Sequence, residues 1–132
     1  MTRSDVVELD DRWRFPLAGL TVTQVRVDHQ LGLRLGEDAE INVETDAAMD
    51  HRDGGPTTPL VPERQEVAAA LGLIGRAVTE VTALKDGRLL VEFDQGTRLT
   101  VAADADFEAW NITGPDTFRV VCMPGGELAI WR

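Results

Sequence analysis

With 132 residues and 14.5 kDa the chain has the size of one domain, and its 43% hydrophobic content supplies a core that needs no disulfide or metal to hold it. Thirteen basic against 23 acidic residues give a formal charge of −10, a field that disfavours nucleic acid and anionic membrane as partners. No apolar run reaches the roughly 18 residues of a membrane span, Met1 to Asp11 lacks the basic-then-apolar order of a secretion signal, and Cys122 is the sole cysteine, so we expect a cytoplasmic protein.

Residues 1–11 read as a loose tail or a single helical turn, and Trp13, Phe15 and Leu17, alternating with Arg12, Arg14 and Pro16, read as an edge strand. From Gly19 the chain repeats itself. Gly19-Leu20-Thr21-Val22-Thr23-Gln24-Val25 lies over Gly75-Arg76-Ala77-Val78-Thr79-Glu80-Val81 at an offset of 56. Leu31 to Leu35 then lies over Leu89 to Phe93, and Ile41-Asn42-Val43 over Leu99-Thr100-Val101, at an offset of 58. The slip falls at Lys85-Asp86-Gly87-Arg88, where Asp-Gly signals a hairpin turn that tolerates a change of length.

The copies, 19–45 and 75–102, each predict a three-strand antiparallel meander. Alternation puts Leu31, Leu33 and Leu35, or Leu89, Val91 and Phe93, on one face, with Arg34 and Glu92 outward. Val22 and Val25, like Val78 and Val81, stand three apart, which a flat strand would place on opposite faces. A β-bulge near Thr23-Gln24 and another near Thr79-Glu80 would return both to the core.

Residues 46–61, with Asp53-Gly54-Gly55-Pro56 and Pro59, read as a flexible linker. Pro62 opens a predicted helix over 62–72, with Glu63 and Glu66 at its N-terminal end, Gly72 at its close, and Val67, Ala70, Leu71 and, if it runs past Gly72, Ile74 as its apolar face. Three further strands follow over 107–113, 118–123 and 127–131, separated by Gly114-Pro115-Asp116 and Pro124-Gly125-Gly126. The expected fold is a single domain, mainly β (α+β): an antiparallel partly open barrel or curled two-layer sheet, built from the two meanders, a C-terminal hairpin unit and one short helix.

Motifs that carry chemistry are few. His29, in a hairpin turn, and His51, in the linker, have no ligand-spaced partner. Asp104, Asp106 and Glu108 have the opening spacing of a calcium loop, but Ala109 stands where that loop needs glycine and Pro115 where it needs glutamate, so they read as turn residues. Ser4 is the one serine, no nucleotide-binding glycine motif is present, and Cys122 lies in an apolar strand as inert packing. Asn111-Ile112-Thr113 matches a glycosylation sequon that means nothing without secretion. We therefore expect no catalytic residue, no cofactor and no metal site.

One surface feature stands out. Between Glu37 and Asp53 lie seven acids, Glu37, Asp38, Glu40, Glu44, Asp46, Asp50 and Asp53, against a single base, Arg52. Such a run is either a solvated face or a surface that steers a basic protein partner. The leading expectation is a non-catalytic protein-interaction domain, immunity-like or regulatory, with these seven as its partner-binding residues. The alternative is a small apolar-ligand carrier whose interior holds its ligand beside Trp110 or Trp131. Open sheet edges also predict a homodimer.

The stretches Trp110 to Asp116 and Val120 to Trp131, with Gly19 to Leu35 and Asp86 to Leu99, resemble a family of small actinobacterial proteins catalogued only as a domain of unknown function. The likeness spans the chain from about Leu17 onward and implies a bacterial cytoplasmic protein. It carries no active-site residue to transfer. Twelve arginines against one lysine suit a GC-rich genome.

Overall fold

The structure, a computed structural model, describes residues 5–115 and 118–131. Among the described residues thirteen strands form two antiparallel sheets that face one another across a shared core. They are β1 (Val7–Glu8), β2 (Arg12–Phe15), β3 (Val22–Val27), β4 (Leu31–Leu35), β5 (Ala39–Val43), β6 (Ala47–His51), β7 (Thr58–Leu60), β8 (Val78–Leu84), β9 (Leu89–Phe93), β10 (Thr97–Val101), β11 (Trp110–Thr113), β12 (Arg119–Cys122) and β13 (Leu128–Trp131). One sheet runs β1-β2-β8-β9-β10-β6-β7 and the other β13-β12-β11-β5-β4-β3. The expectation of a curled two-layer antiparallel sheet holds. The barrel does not close, because each sheet keeps its own two edges.

The sequence repeat is a structural one, and it is longer than the sequence displays. Each meander is extended by a hairpin from the other copy: β6-β7 adds beside β10, while β11-β12 adds beside β5. The orders β8-β9-β10-β6-β7 and β3-β4-β5-β11-β12 are therefore the same arrangement made twice, with the outer hairpins exchanged. At one end the copies meet across a local twofold relation. Thr21 bridges its equivalent Ala77. Gly19 N–H donates to Val78 C=O as Gly75 N–H donates to Val22 C=O, and Val22 N–H donates to Arg76 C=O as Val78 N–H donates to Leu20 C=O.

Both expected bulges are present, in equivalent places. The register shifts between Val22 and Gln24 on β3 and between Val78 and Glu80 on β8. The extra residue is a threonine each time, and its hydroxyl donates back to the neighbouring strand, Thr23 to Gly36 C=O at 2.8 Å and Thr79 to Glu92 C=O at 3.1 Å. The bulge turns Val22 and Val25, and Val78 and Val81, to the same core.

Three expectations need correction. The segment 46–61 is not a flexible linker: Ala47 to His51 pairs along the whole of β10, and β7 pairs with β6, with Ala47 and Leu60 buried. Asp53-Gly54-Gly55-Pro56 occupy the loop between these strands, while Pro59 stands within β7 opposite Ala48. The helix expected over 62–72 is instead two 3-10 segments, Pro62–Arg64 and Ala68–Leu73. Val61 and Glu66 exchange backbone hydrogen bonds and close the first into a loop, with Gln65 left-handed at φ 57° and its side chain donating to Asp28 C=O. At three residues per turn the buried face of the second is Val67, Ala70 and Leu73, while Leu71 and Ile74 turn outward at 54% and 52% exposure. Finally, β2 is not an edge, since β1 lies outside it and Lys85 ties to Glu8 of that outer strand. Part of the expected tail is thus strand, and its residues 1–4 lie outside the described residues.

On the C-terminal strands the inward set is Trp110, Ile112, Val120, Cys122, Leu128 and Ile130. Trp110 is fully buried and its indole N–H donates to Gly87 C=O at 2.8 Å. Among the described residues no helix is long and apolar enough to cross a membrane.

Candidate acidic cleft

Two segments carry the chain between the sheets at the end of the molecule away from the Thr21–Ala77 bridge: Glu44 to Asp46, from β5 to β6, and the loop from Ala102 to Ala109, from β10 to β11. They run side by side, with Glu44 N–H donating to Ala109 C=O at 2.9 Å. Between them, the β3–β4 turn and the first 3-10 segment lies a cleft of about 360 Å³. Its lining includes Glu44, Asp46, Glu63, Asp104 and Glu108, with His29 and Phe107. Gln65 fastens the 3-10 segment to the turn through Asp28 C=O, so Glu63 and His29 are brought to the same rim.

Each wall is held by its own hydrogen bonds. The Asp104 carboxylate accepts from the backbone N–H of Asp106 at 2.8 Å and of Phe107 at 3.1 Å, a local turn that presents the Phe107 ring to solvent at 73% exposure. Gly125 N–H donates to Asp104 C=O and anchors that loop to the β12–β13 turn. Glu44 is fixed by two amides, Asn111 donating to one oxygen and Gln30 to the other, each at 3.4 Å. Asn111 accepts in turn from Asn42, and Asn42 from Arg26, so a polar row crosses the outer face of the sheet into the cleft.

Burial pushes the Glu44 carboxyl above the ordinary range, the negative charge of Glu108 pushes it further, and the Asn111 amide opposes them. Most of this shift is desolvation; the smaller part, from Glu108, shows that the Glu44 and Glu108 carboxylates repel one another across the cleft. The site suits an extended cation such as a guanidinium or ammonium group, which can meet several carboxylates and lie against the exposed phenyl face. Among the described residues no three or more His, Cys, Asp or Glu side chains are grouped to hold a metal ion.

The seven acids expected to form one surface are dispersed. Glu44 and Asp46 reach the cleft. Glu37 and Asp38 lie in the β4–β5 turn, at the opposite end of β5. Glu40 pairs with Arg26, and Asp50, on the other sheet, pairs with Arg98 at 2.8 Å. Asp53 stands in the β6–β7 loop. Proximity in sequence misleads here because the chain changes sheet between Glu44 and Ala47.

Conversely, Glu63, Asp104, Phe107 and Glu108 come from segments that showed no site in the sequence. One signal was available: Asp104 stands 58 residues after Asp46, the repeat offset, and both line the cleft. The tryptophans of the carrier expectation do not share an interior, since Trp110 is locked in the core and Trp131 lies at the outer edge beneath Arg119.

Residues 13–132 match the model of a family of unknown function, DUF6188, and the chain belongs to that family. No curated protein and no solved structure matches it.

Proposed function

We propose that this domain is a non-catalytic protein-interaction module that receives a basic segment of a protein partner in the acidic cleft. One observation carries the reading: Glu44, Asp46, Glu63, Asp104 and Glu108 converge on one concave site beside an exposed phenyl ring. An arginine or lysine entering it would offset the repulsion among these carboxylates while its stem and charge rest on Phe107. The Glu44 oxygens are engaged by Asn111 and Gln30, which suits a fixed electrostatic wall better than a group that must shuttle protons. We place the protein in the cytoplasm, where the buried free thiol of Cys122 would stay reduced.

The test compares wild type with an E44Q/D46N/E63Q/E108Q variant as bait in native lysate, at low and at moderate salt, read by quantitative mass spectrometry. Asp104 is kept because it holds the loop. A basic protein enriched by wild type, lost at moderate salt and lost with the variant is the expected result. Equal enrichment by the variant would place recognition elsewhere.

A further inference from the structure

We infer that β13 is a dimerisation edge, pairing antiparallel with β13 of a second copy so that the six-stranded sheets of two molecules run on as one. Of the four sheet edges, three are blunted. β1 has two residues, and β7 has three with Pro59 at its centre. β3 is bulged, carries Gln24 and Arg26, and has its Val22 backbone groups taken by Gly75 and Arg76. The fourth, Leu128-Ala129-Ile130-Trp131, carries no charge, proline or bulge, which are the devices that keep edges apart.

The strand is complementary to itself in one register. Met123 N–H donates to Glu127 C=O, so hydrogen-bonded pairs alternate up the β12–β13 ladder through Val121–Ala129 and Arg119–Trp131. Leu128 and Ile130 therefore point their backbone N–H and C=O groups away from β12, toward the open edge. Set about a twofold axis at Ala129, Leu128 of one copy meets Ile130 of the other, and every one of these outward groups finds a partner. Leu128 and Ile130 are only half-buried against the core, and this pairing covers both.

Charge selects a second copy over an arbitrary peptide. On the outer face that register sets Trp131 opposite Glu127 of the second copy. Arg119 already reaches over the Trp131 ring, its guanidinium carbon 5.5 Å from the ring centre, toward the free edge. The row Arg119, Trp131, Glu127 of the second copy places a cation, an aromatic face and an anion side by side, and symmetry makes it twice. Ala129, opposite itself, leaves room for both indoles.

The experiment is sedimentation equilibrium of the full chain over a wide concentration range, for wild type, A129K, A129E and their equimolar mixture, with circular dichroism to confirm the fold. Ala129 lies on the outer face, away from the core set, so either side chain fits the monomer. Across the axis residue 129 faces its own copy at about 4.5 Å between Cα atoms, and like charges so placed weaken the dimer at least about tenfold. Dimeric wild type, weakened single variants and recovery in the mixture are the expected results. As a second check of register, E127R weakens the dimer and R119E/E127R restores it. A wild type that stays monomeric at high concentration, single variants that dimerise unchanged, or a mixture no stronger than its components would each overturn the pairing.

Discussion

Gly126→Ala tests how the two sheets are clamped together. Gly126, in the β12–β13 turn, and Gly87, in the β8–β9 turn, meet backbone to backbone: a Cβ built on Gly126 would stand 2.2 Å from Asp86 O. Gly126 also has φ at +97°, which costs a side chain about 1–2 kcal/mol. To bring that contact to an ordinary 3.4 Å, the turns must part by the missing 1.2 Å. Such a shift carries the Gly87 carbonyl away from the Trp110 indole, now 2.8 Å from it, and leaves a buried donor unpaired at about 1–3 kcal/mol. Together the variant should lose about 2–5 kcal/mol, read by urea unfolding followed by circular dichroism. Gly125→Ala is the matched control, since Gly125 has φ at +87° but nothing within 4 Å of its added Cβ. If both variants lose the same stability, the two turns do not interlock.

Further outcomes follow from the same structure. T23V and T79V each remove the hydroxyl that ties a bulge to its neighbour strand, and each should cost about 0.5–1.5 kcal/mol in urea unfolding; a double variant as stable as wild type would remove the hydroxyls' role. Carboxyl NMR titration should find Glu44 protonating above its ordinary 4.5, and E108Q should bring it back only part-way because burial is the larger cause. Between the ordinary value and the raised one the folded protein holds a proton that the unfolded chain has lost, so this group's contribution weakens as pH rises through that window and is recovered on acidification. Cys122, buried with its thiol pushed to higher pKa by desolvation, should react with a thiol reagent more than about a hundredfold slower in the native protein than in urea, since reaction needs an opening. Equal rates would contradict its burial.

The elements legible in the sequence were those whose cause is local. Two-residue periodicity marked β4, β5, β9 and β10, and the valines three apart located both bulges, because each records which face a side chain must take. The Asp86-Gly87 signal located a turn that the structure makes with Gly87 at φ +100°. What was hidden depends on distant partners. Ala47-Ala48-Met49-Asp50-His51 carries little strand pattern of its own and becomes β6 because β10 offers an edge along its full length. The segment after Pro62 has helix-forming alanines, yet Val61 and Glu66 close a loop and Gln65 docks on Asp28, so a helix gives way to 3-10 turns. The acidic run failed as a surface for the same reason: the sheet exchange between Glu44 and Ala47 sends its members to different sides.

That exchange also explains where the candidate site sits. Val43 and Val101 are equivalent at an offset of 58, whereas Ala47 and Trp110, the residues that begin the exchanged strands β6 and β11, are 63 apart. The second crossing is thus longer than the first by five residues, 105–109, and these include both Phe107 and Glu108. The two aspartates at equivalent positions, Asp46 and Asp104, are the symmetric part of the cleft; the phenyl ring and Glu108, whose charge adds to the effect of burial on Glu44, come from the insertion. Deleting 105–108 should therefore leave the paired sheets intact, since the first crossing makes the same passage with fewer residues and the buried Ala109, whose carbonyl holds Glu44 N–H, is kept, while the exposed ring and one carboxylate are removed together. Retained cooperative unfolding with loss of salt-sensitive binding is the expected result. Loss of the fold would show instead that the longer crossing is needed to join β10 to β11, and that the asymmetry serves the architecture and not a partner.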